Sequence, residues 1–377
     1  MKRIFIFMFV FIFAISALLM GVSCKEEATT ELAEEETEKI NLEDFHTKGP
    51  AGEIPVPLSD LSFSEEEKEE IRKGNYKAAI MMHADTDVIN ALKLGVRYIF
   101  DDLNIEVVSE TVAEMNPAKQ QQDAETILAL DPDIICVLPM DPVSAAEAFR
   151  PAVEQGVKLA IMSNVPEGYV HGEDYVGMVS DNFFELGEIA ADILAEALNY
   201  EGKIGWIFHD ANYYVTNQRD NSFKAVIQAN YPDIEIVSEK GVVAADAADG
   251  ERAASAIITQ YPDVDGLYVT WDTPAEGAVA AARAANRPDI KIVTIDLGAI
   301  NGLDMVEGGN MVGAAADIGY ELGVGLAMVG AYGLINKPAP AFTMVGSVRV
   351  TKENYLEGWR TSFHSDPPKE IMDELLK

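Results

Sequence analysis

Asp-Pro-Asp-Ile-Ile-Cys-Val-Leu-Pro-Met-Asp-Pro, residues 131–142, decides the fold. Ile134 to Leu138 is apolar at every position rather than at alternate ones. A short run of that kind marks a strand buried on both faces, the pattern of parallel sheets covered by helices. Pro139 ends the run. Asp141-Pro142 then reads as a helix start, with an acidic cap followed by a proline at the first helical position. The Ala-rich stretch Ser144–Gln155 carries the helix, and Lys158–Ser163 is the next apolar run. Strand, helix and strand at this spacing form a βαβ unit. The pattern recurs further along. Pro262-Asp263 precedes the run Gly266–Trp271, Asp272-Thr273-Pro274 opens an Ala-rich helix, and Lys291–Asp296 is the following run. Each unit has an Asp just past its first strand.

Outward from these units the same alternation continues. The spacing predicts strands at Tyr76–Met82, Glu106–Val112, Ile134–Pro139, Lys158–Ser163, Tyr175–Ser180, Lys203–Phe208, Glu235–Glu239, Gly266–Trp271, Lys291–Asp296 and Met311–Asp317. It predicts helices at Asn116–Ala129, Ser144–Gln155, Asn182–Asn199, Gly250–Gln260 and Pro274–Ala285. Alternation of this kind gives α/β domains with parallel sheets and helices on both faces. The internal echo implies two such doubly wound, Rossmann-like domains in one chain. Open sheets of this type bind ligands beyond the carboxyl ends of their strands, so two facing domains would enclose a cleft.

The N-terminal residues point to export. Lys2 and Arg3 precede the apolar run Ile4–Met20, and Gly21-Val22-Ser23-Cys24 supplies small residues before a cut. The run is close to long enough to cross a bilayer. The small residues ending at a Cys favour a cleaved signal over residues 1–24. Residues 25–60 are acidic and lack an apolar period, which reads as a spacer. Ser64 with Glu67 has capping-box spacing for a short helix that Gly74 would stop, making residues 25–74 a tether plus a helix. The chain has 63 acidic against 28 basic residues, a formal charge of −35. That excludes the basic footprint nucleic-acid binding needs. Of the 2 Cys, Cys136 lies in an apolar run and reads as a buried, inert thiol.

Together these residues resemble the type I periplasmic sugar-binding proteins, close in pattern to the ribose-binding group. The cues are Asn116-Pro117-Ala118-Lys119, Asp131-Pro132-Asp133-Ile134-Ile135, Leu138-Pro139-Met140-Asp141-Pro142, Val179-Ser180-Asp181-Asn182, and Asp296 closing its strand. The start of the chain resembles a bacterial lipobox with Cys24 as the lipidated residue, departing from it in carrying Gly21 where Leu is usual. The resemblance implies a three-segment hinge, with crossings near Ser180-Asp181, Asp317-Ile318 and Val345-Gly346. It implies an N-terminal lobe of residues 75–180 and 318–345 and a C-terminal lobe of residues 181–317 and 346–377. It further implies a monomeric receptor, anchored to the membrane by lipid, that carries a sugar or polyol to an ABC transporter permease.

The resemblance also implies where ligand contacts fall. His83, Asp85, Thr86 and Asp87 follow the first strand; aromatics common there in the family are replaced by Val88-Ile89. Asp141 and Asn164 follow the next two strand ends, and Ser163-Asn164 stands where relatives carry an Asp-Arg pair. In the second domain Tyr213, Tyr214 and Asn217 follow a strand, with Arg219 read as structural on the helix behind them. Trp271 and Asp272 follow the next strand end, Trp271 where a polar contact is usual, and Asp296 and Asp317 close two further strands. Ionised carboxylates accept several hydrogen bonds and Asn both donates and accepts, which suits a polyhydroxylated solute.

Other classes remain in view. So many carboxylates beside few basic groups also suit a cationic or amine-bearing solute. A sensory lipoprotein would use the same fold. His83-x-Asp85-x-Asp87 has hard-ligand character, but it fits no strong metal-site spacing, and neither a nucleophile elbow nor a phosphate loop is present. No cofactor, resident metal or enzymatic activity is expected.

Overall fold

The computed structural model describes residue 42, residues 46–244 and residues 246–377. The expected signal segment with Cys24, and most of the acidic spacer, lie outside the described residues. Along the chain run β1 (Val56–Pro57), α1 (Glu65–Gly74), β2 (Lys77–Met82), α2 (Asp87–Asp102), β3 (Glu106–Val112), α3 (Pro117–Leu128), β4 (Ile134–Val137), α4 (Pro142–Glu154), β5 (Lys158–Met162) and β6 (Gly177–Asp181). Then follow α5 (Phe183–Ala197), β7 (Gly202–His209), α6 (Tyr214–Asn230), β8 (Ile234–Val242), α7 (Ala247–Gln260), β9 (Gly266–Val269), α8 (Asp272–Ala284), β10 (Lys291–Ile295), α9 (Ala299–Glu307) and β11 (Met311–Asp317). The chain ends with α10 (Gly319–Leu334), β12 (Phe342–Val345), β13 (Ser347–Val350), α11 (Tyr355–Phe363) and α12 (Lys369–Leu375).

All ten expected strands are present, sorted into two sheets. One has the order β1-β12-β6-β5-β4-β2-β3, the other β13-β11-β10-β9-β7-β8. Every pairing is parallel except β11 with β13. Helices α2 and α10 pack together on one face of the first sheet and α3 with α4 on the other. Helices α5 and α6 form one layer on the second sheet, α7 with α8 the opposite one. The chain passes between sheets three times, from β6 into α5, from β11 into α10, and from β12 into β13. These are the three segments of the hinge. Strands β12 and β13 have four residues each and are held by pairing with β6 and β11.

Strands β4 and β5 are buried throughout except Lys158. Cys136 is buried and free, and burial pushes its thiol well up. The α2–α10 contact depends on small residues. A Cβ on Gly323 would lie 1.9 Å from the Leu92 carbonyl oxygen, and one on Gly95 would lie 2.0 Å from that of Tyr320. Backbone cannot yield as a side chain does. Gly323→Ala is therefore expected to lower the unfolding free energy by about 1–3 kcal/mol. A urea midpoint unchanged from the parent would contradict this.

Two segments read weakly from sequence are built into the body. The segment read as spacer up to residue 60 is not free of the fold at its C-terminal end. Val56–Pro57 adds to the edge strand β12, whose unpaired backbone groups accept any extended partner. Leu61 is buried, and the Ser62 N–H donates to the Tyr332 hydroxyl at 2.8 Å. Further upstream, Thr47 Oγ1 donates to Asn182 Oδ1 at 2.5 Å and accepts from the Phe184 N–H at 3.0 Å. The Tyr214 hydroxyl donates to the carbonyls of Lys48 at 2.7 Å and Gly49 at 3.1 Å. Residues 47–57 thus form a strap from α5 and α6 to β12. At the other end of the chain, Tyr355, Trp359, Phe363 and Ile371 are buried in the core of the second lobe. No helix of the described residues is long and apolar enough to cross a membrane.

Candidate functional site between the two sheets

Several strands end toward the same place. Asp181 closes β6, Asp317 closes β11, and Asp296 follows β10 with φ of 65°. His83 follows β2, Ser163 and Asn164 follow β5, and Trp271 follows β9 as the residue preceding α8. They converge on a cavity of about 330 Å³ lined from both lobes, at the lower end of the usual range for small-molecule sites. The lobes touch around it. The Ala299 N–H at the start of α9 donates to Asp87 Oδ2 at 3.0 Å. The Tyr213 hydroxyl reaches the Pro139 carbonyl at 3.5 Å. Val88 and Ala91 of α2 share a buried cluster with Ala275 and Val279 of α8.

One helix face supplies the centre. Tyr213, Thr216 and Arg219 recur every three residues and so stack on one side of α6, and all three line the cavity. Arg219 is 5% exposed. Its Nη1 donates to Asp296 Oδ1 at 3.2 Å, and its Nη2 to Asp296 Oδ2 at 3.3 Å and to the Thr270 carbonyl at 3.4 Å. Burial works against the charge on Arg219, but Asp296 and Asp317 outweigh it and hold the guanidinium protonated. Asp220, next on the helix, braces the neighbouring strand ends. It accepts from the His209 N–H at 2.9 Å, the Tyr268 hydroxyl at 2.6 Å and the Thr270 hydroxyl at 3.0 Å. Burial still lifts its carboxyl to about 6.

The electrostatics are those of acids held out of water. Asp181 and Asp317 lie against each other at the hinge. Burial pushes both carboxyls up, with Asp296 adding to it and Arg219 opposing; the charge of Asp181 raises Asp317 further, while a hydrogen bond with Asp317 pulls Asp181 down. Burial, then Asp296, lifts Asp272 to about 7. Burial lowers His83 to about 4, Asp296 pulling upward and Arg219 downward, so its ring is neutral at pH 7. His209, lowered by burial and then by Arg219, faces Thr216 Oγ1 at 2.8 Å through Nδ1. Trp271 stands edge-on to it with ring centroids 4.9 Å apart. Burial raises the Tyr213 hydroxyl.

Among the residues that line the cavity, His83 Nδ1 and Arg219 Nε are buried without a hydrogen-bond partner, and the buried Oδ1 atoms of Asp181 and Asp317 meet no donor beyond a proton the acids share. Polar atoms in that state cost about 1–3 kcal/mol each in a closed protein. A ligand carrying both donors and acceptors would satisfy them. Among the described residues, no group of three or more His, Cys, Asp or Glu is placed to hold a metal ion.

Of the residues expected to meet a ligand, His83, Thr86, Asn164, Tyr213, Trp271, Asp272, Asp296 and Asp317 line this cavity. The other five are placed elsewhere. Asp85 is exposed and pairs with Lys93 at 3.8 Å. Asp87 is engaged by the Ala299 N–H across the lobes. Asp141 caps α4, accepting from the backbone of Val143 and Ser144. Tyr214 holds the strap. Asn217 is one position past Thr216 on α6 and turns into a neighbouring hollow with Pro50 and Pro142. In the other direction, Arg219, read as structural, reaches the cavity and pairs with Asp296. Asp181 and His209 line it too. Asp181 had a signal, since it closes its strand as Asp296 and Asp317 do.

A family model described as a periplasmic binding protein domain matches residues 78–337. The ribose import binding protein RbsB of Escherichia coli K12 is 24% identical over 243 residues, 62% of this chain and 76% of that protein. A xylitol-binding protein of Mycolicibacterium smegmatis is 26% identical over 260 residues, 67% of this chain and 70% of that one. In fold, the chain is similar to an ABC transporter solute-binding protein from Agrobacterium vitis bound with α-D-tagatopyranose. The TM-score is 0.68 at 19% identity, covering 76% of this chain and 99% of that one. A solute-binding protein from Bacillus halodurans with bound myo-inositol gives a TM-score of 0.66 at 18% identity, covering 76% and 98%.

Proposed function

Because the chain belongs to the periplasmic binding protein family, we propose that it is the solute receptor of an ABC importer, capturing a sugar or polyol between its lobes and handing it to a membrane permease. The observation that carries this is one cavity lined from both lobes, with the buried polar side chains of His83, Asp181, Arg219 and Asp317 in its wall. Hydroxyl groups both donate and accept. A ring or chain of them can give protons to Asp181 and Asp317, accept from Arg219, and do either with neutral His83. Relatives named for ribose and xylitol support the same chemical class. Hinge closure is a recurring device of periplasmic binding proteins, and the three crossings supply the hinge. The receptor acts as a monomer, exported behind residues 1–24 and held by lipid on Cys24. No catalytic role is assigned to any residue.

A second reading, a cationic or amine-bearing solute, has one observation in its favour. Arg219 is the one Arg or Lys among the described residues lining the cavity, against Asp181, Asp246, Asp272, Asp296 and Asp317. Titration calorimetry against pentoses, hexoses, polyols and small amines separates the two. Neutral polyols should bind best; an amine as the best ligand, with no polyol binding, would sink the first reading.

Trp271 provides the optical signal. The chain has 3 Trp; Trp206 and Trp359 are buried in cores, and Trp271 lines the cavity. Ligand should therefore shift tryptophan emission, and Trp271→Ala should abolish the shift while weakening affinity by about 1–2 kcal/mol, the scale of a lost ring contact. An emission change surviving in that variant would contradict this placement.

A further inference from the structure

The cavity is chemically two-sided. Its second-lobe wall carries the charges, with Arg219, Asp272, Asp296 and Asp317. Its first-lobe wall is largely hydrocarbon: Val88, Ile89, Met115, Leu138 and Met162. Val88, Ile89, Leu138 and Met162 are each less than 10% exposed. The polar groups that do lie on that wall are few and partly engaged by the protein itself. Thr86 Oγ1 accepts from the Ile89 N–H at 3.3 Å. Ser163 Oγ is 2.7 Å from Ser180 Oγ, and Asn164 Nδ2 donates to the Pro139 carbonyl at 3.3 Å. His83 Nδ1, on a residue of the same wall, is buried without a partner.

We propose that the preferred ligand is an amphipathic sugar, one edge hydroxylated and the opposite end a methyl or methylene group, with the hydroxyls toward Arg219 and the carboxyls and the hydrocarbon end toward Met162 and Leu138. This deepens the receptor reading and rests on it. Branched aliphatic and thioether side chains can neither donate to nor properly accept from a hydroxyl. A hydroxyl forced among them loses its water without a replacement, which weakens binding roughly tenfold to a hundredfold. A methyl group at the same place gains burial instead, about fourfold per carbon. A fully hydroxylated hexose or pentose satisfies the second-lobe wall and leaves a hydroxyl stranded on the first.

The test is calorimetry of the purified protein with matched pairs: L-rhamnose against L-mannose, L-fucose against L-galactose, and 5-deoxy-D-ribose against D-ribose. In the pair that binds best, the deoxy member should bind at least tenfold more tightly. Met162→Gln, which places an amide on the first-lobe wall, should narrow that preference to threefold or less. Equal or tighter binding of the hydroxylated member overturns the proposal and leaves the receptor reading standing. So does binding confined to xylitol or myo-inositol. If no sugar or polyol binds, both fall.

Discussion

Arg219→Met is expected to lower the unfolding free energy by about 3–5 kcal/mol at pH 7.5, the usual effect of stripping one partner from a buried ion pair. The guanidinium bonds both oxygens of Asp296 and the Thr270 carbonyl, and it opposes the upward push on Asp181 and Asp317. Without it, three carboxyls at the strand ends face one another with no cation. Asp181 and Asp317 must take up protons or repel. The deficit should therefore be largest at pH 8 and shrink toward pH 5, where protons replace the missing charge. Adding Asp296→Asn to Arg219→Met should restore part of the loss, giving a favourable coupling of at least ~1 kcal/mol for residues in direct contact. Urea unfolding at the two pH values measures this. A variant within 1 kcal/mol of the parent at pH 7.5, on the same scale, would show that Arg219 is not the electrostatic centre of the site.

The second large effect concerns the hinge acids. Asp317 is buried, and Asp181 (β6), Asp296 (after β10) and Arg219 (α6) act on it. Its folded-state pKa is raised, so between the unfolded carboxyl value near 3.9 and its raised value the folded chain holds more protons than the unfolded one. Stability contributed by this group therefore falls as pH rises through that window, opposite to the behaviour of a salt-bridged carboxylate. The whole chain, at −35, also loses stability with rising pH through self-repulsion. The comparison that isolates the hinge is consequently parent against Asp317→Asn, which mimics the protonated acid. The variant should match the parent near pH 4 and exceed it by about 1–3 kcal/mol at pH 8, each tenfold displacement of a protonation constant being worth ~1.4 kcal/mol. Parallel pH profiles for the two proteins would refute the assignment.

How much of this could be read beforehand follows from geometry. In a parallel sheet every strand ends on the same side, so a polar residue just past a buried run is placed by chain direction alone. That is why His83, Asn164, Asp272, Asp296 and Asp317 were legible. Residues on helices depend on rotational phase, and α6 begins only after the turn at Tyr213. A choice between Asn217 and Arg219 needs that phase to within one residue, which the polar run Tyr213–Arg219 does not reveal. The N-terminal contacts were illegible for another reason. Val56–Pro57 has no apolar repeat; it is a strand because β12 offers an open edge.

The strap acts as a leash. Its grip on Tyr214 and Asn182 at one end and its pairing with β12 at the other leave six residues between Gly49 and Val56, a span of at most roughly 25 Å when taut. In a receptor that opens by swinging its halves apart, that slack limits the gape. Any wider excursion begins by peeling the backbone of Lys48 and Gly49 off a tyrosine that lies on the same helix as Arg219. The stretch ahead of the first lobe is thereby wired to the jaw.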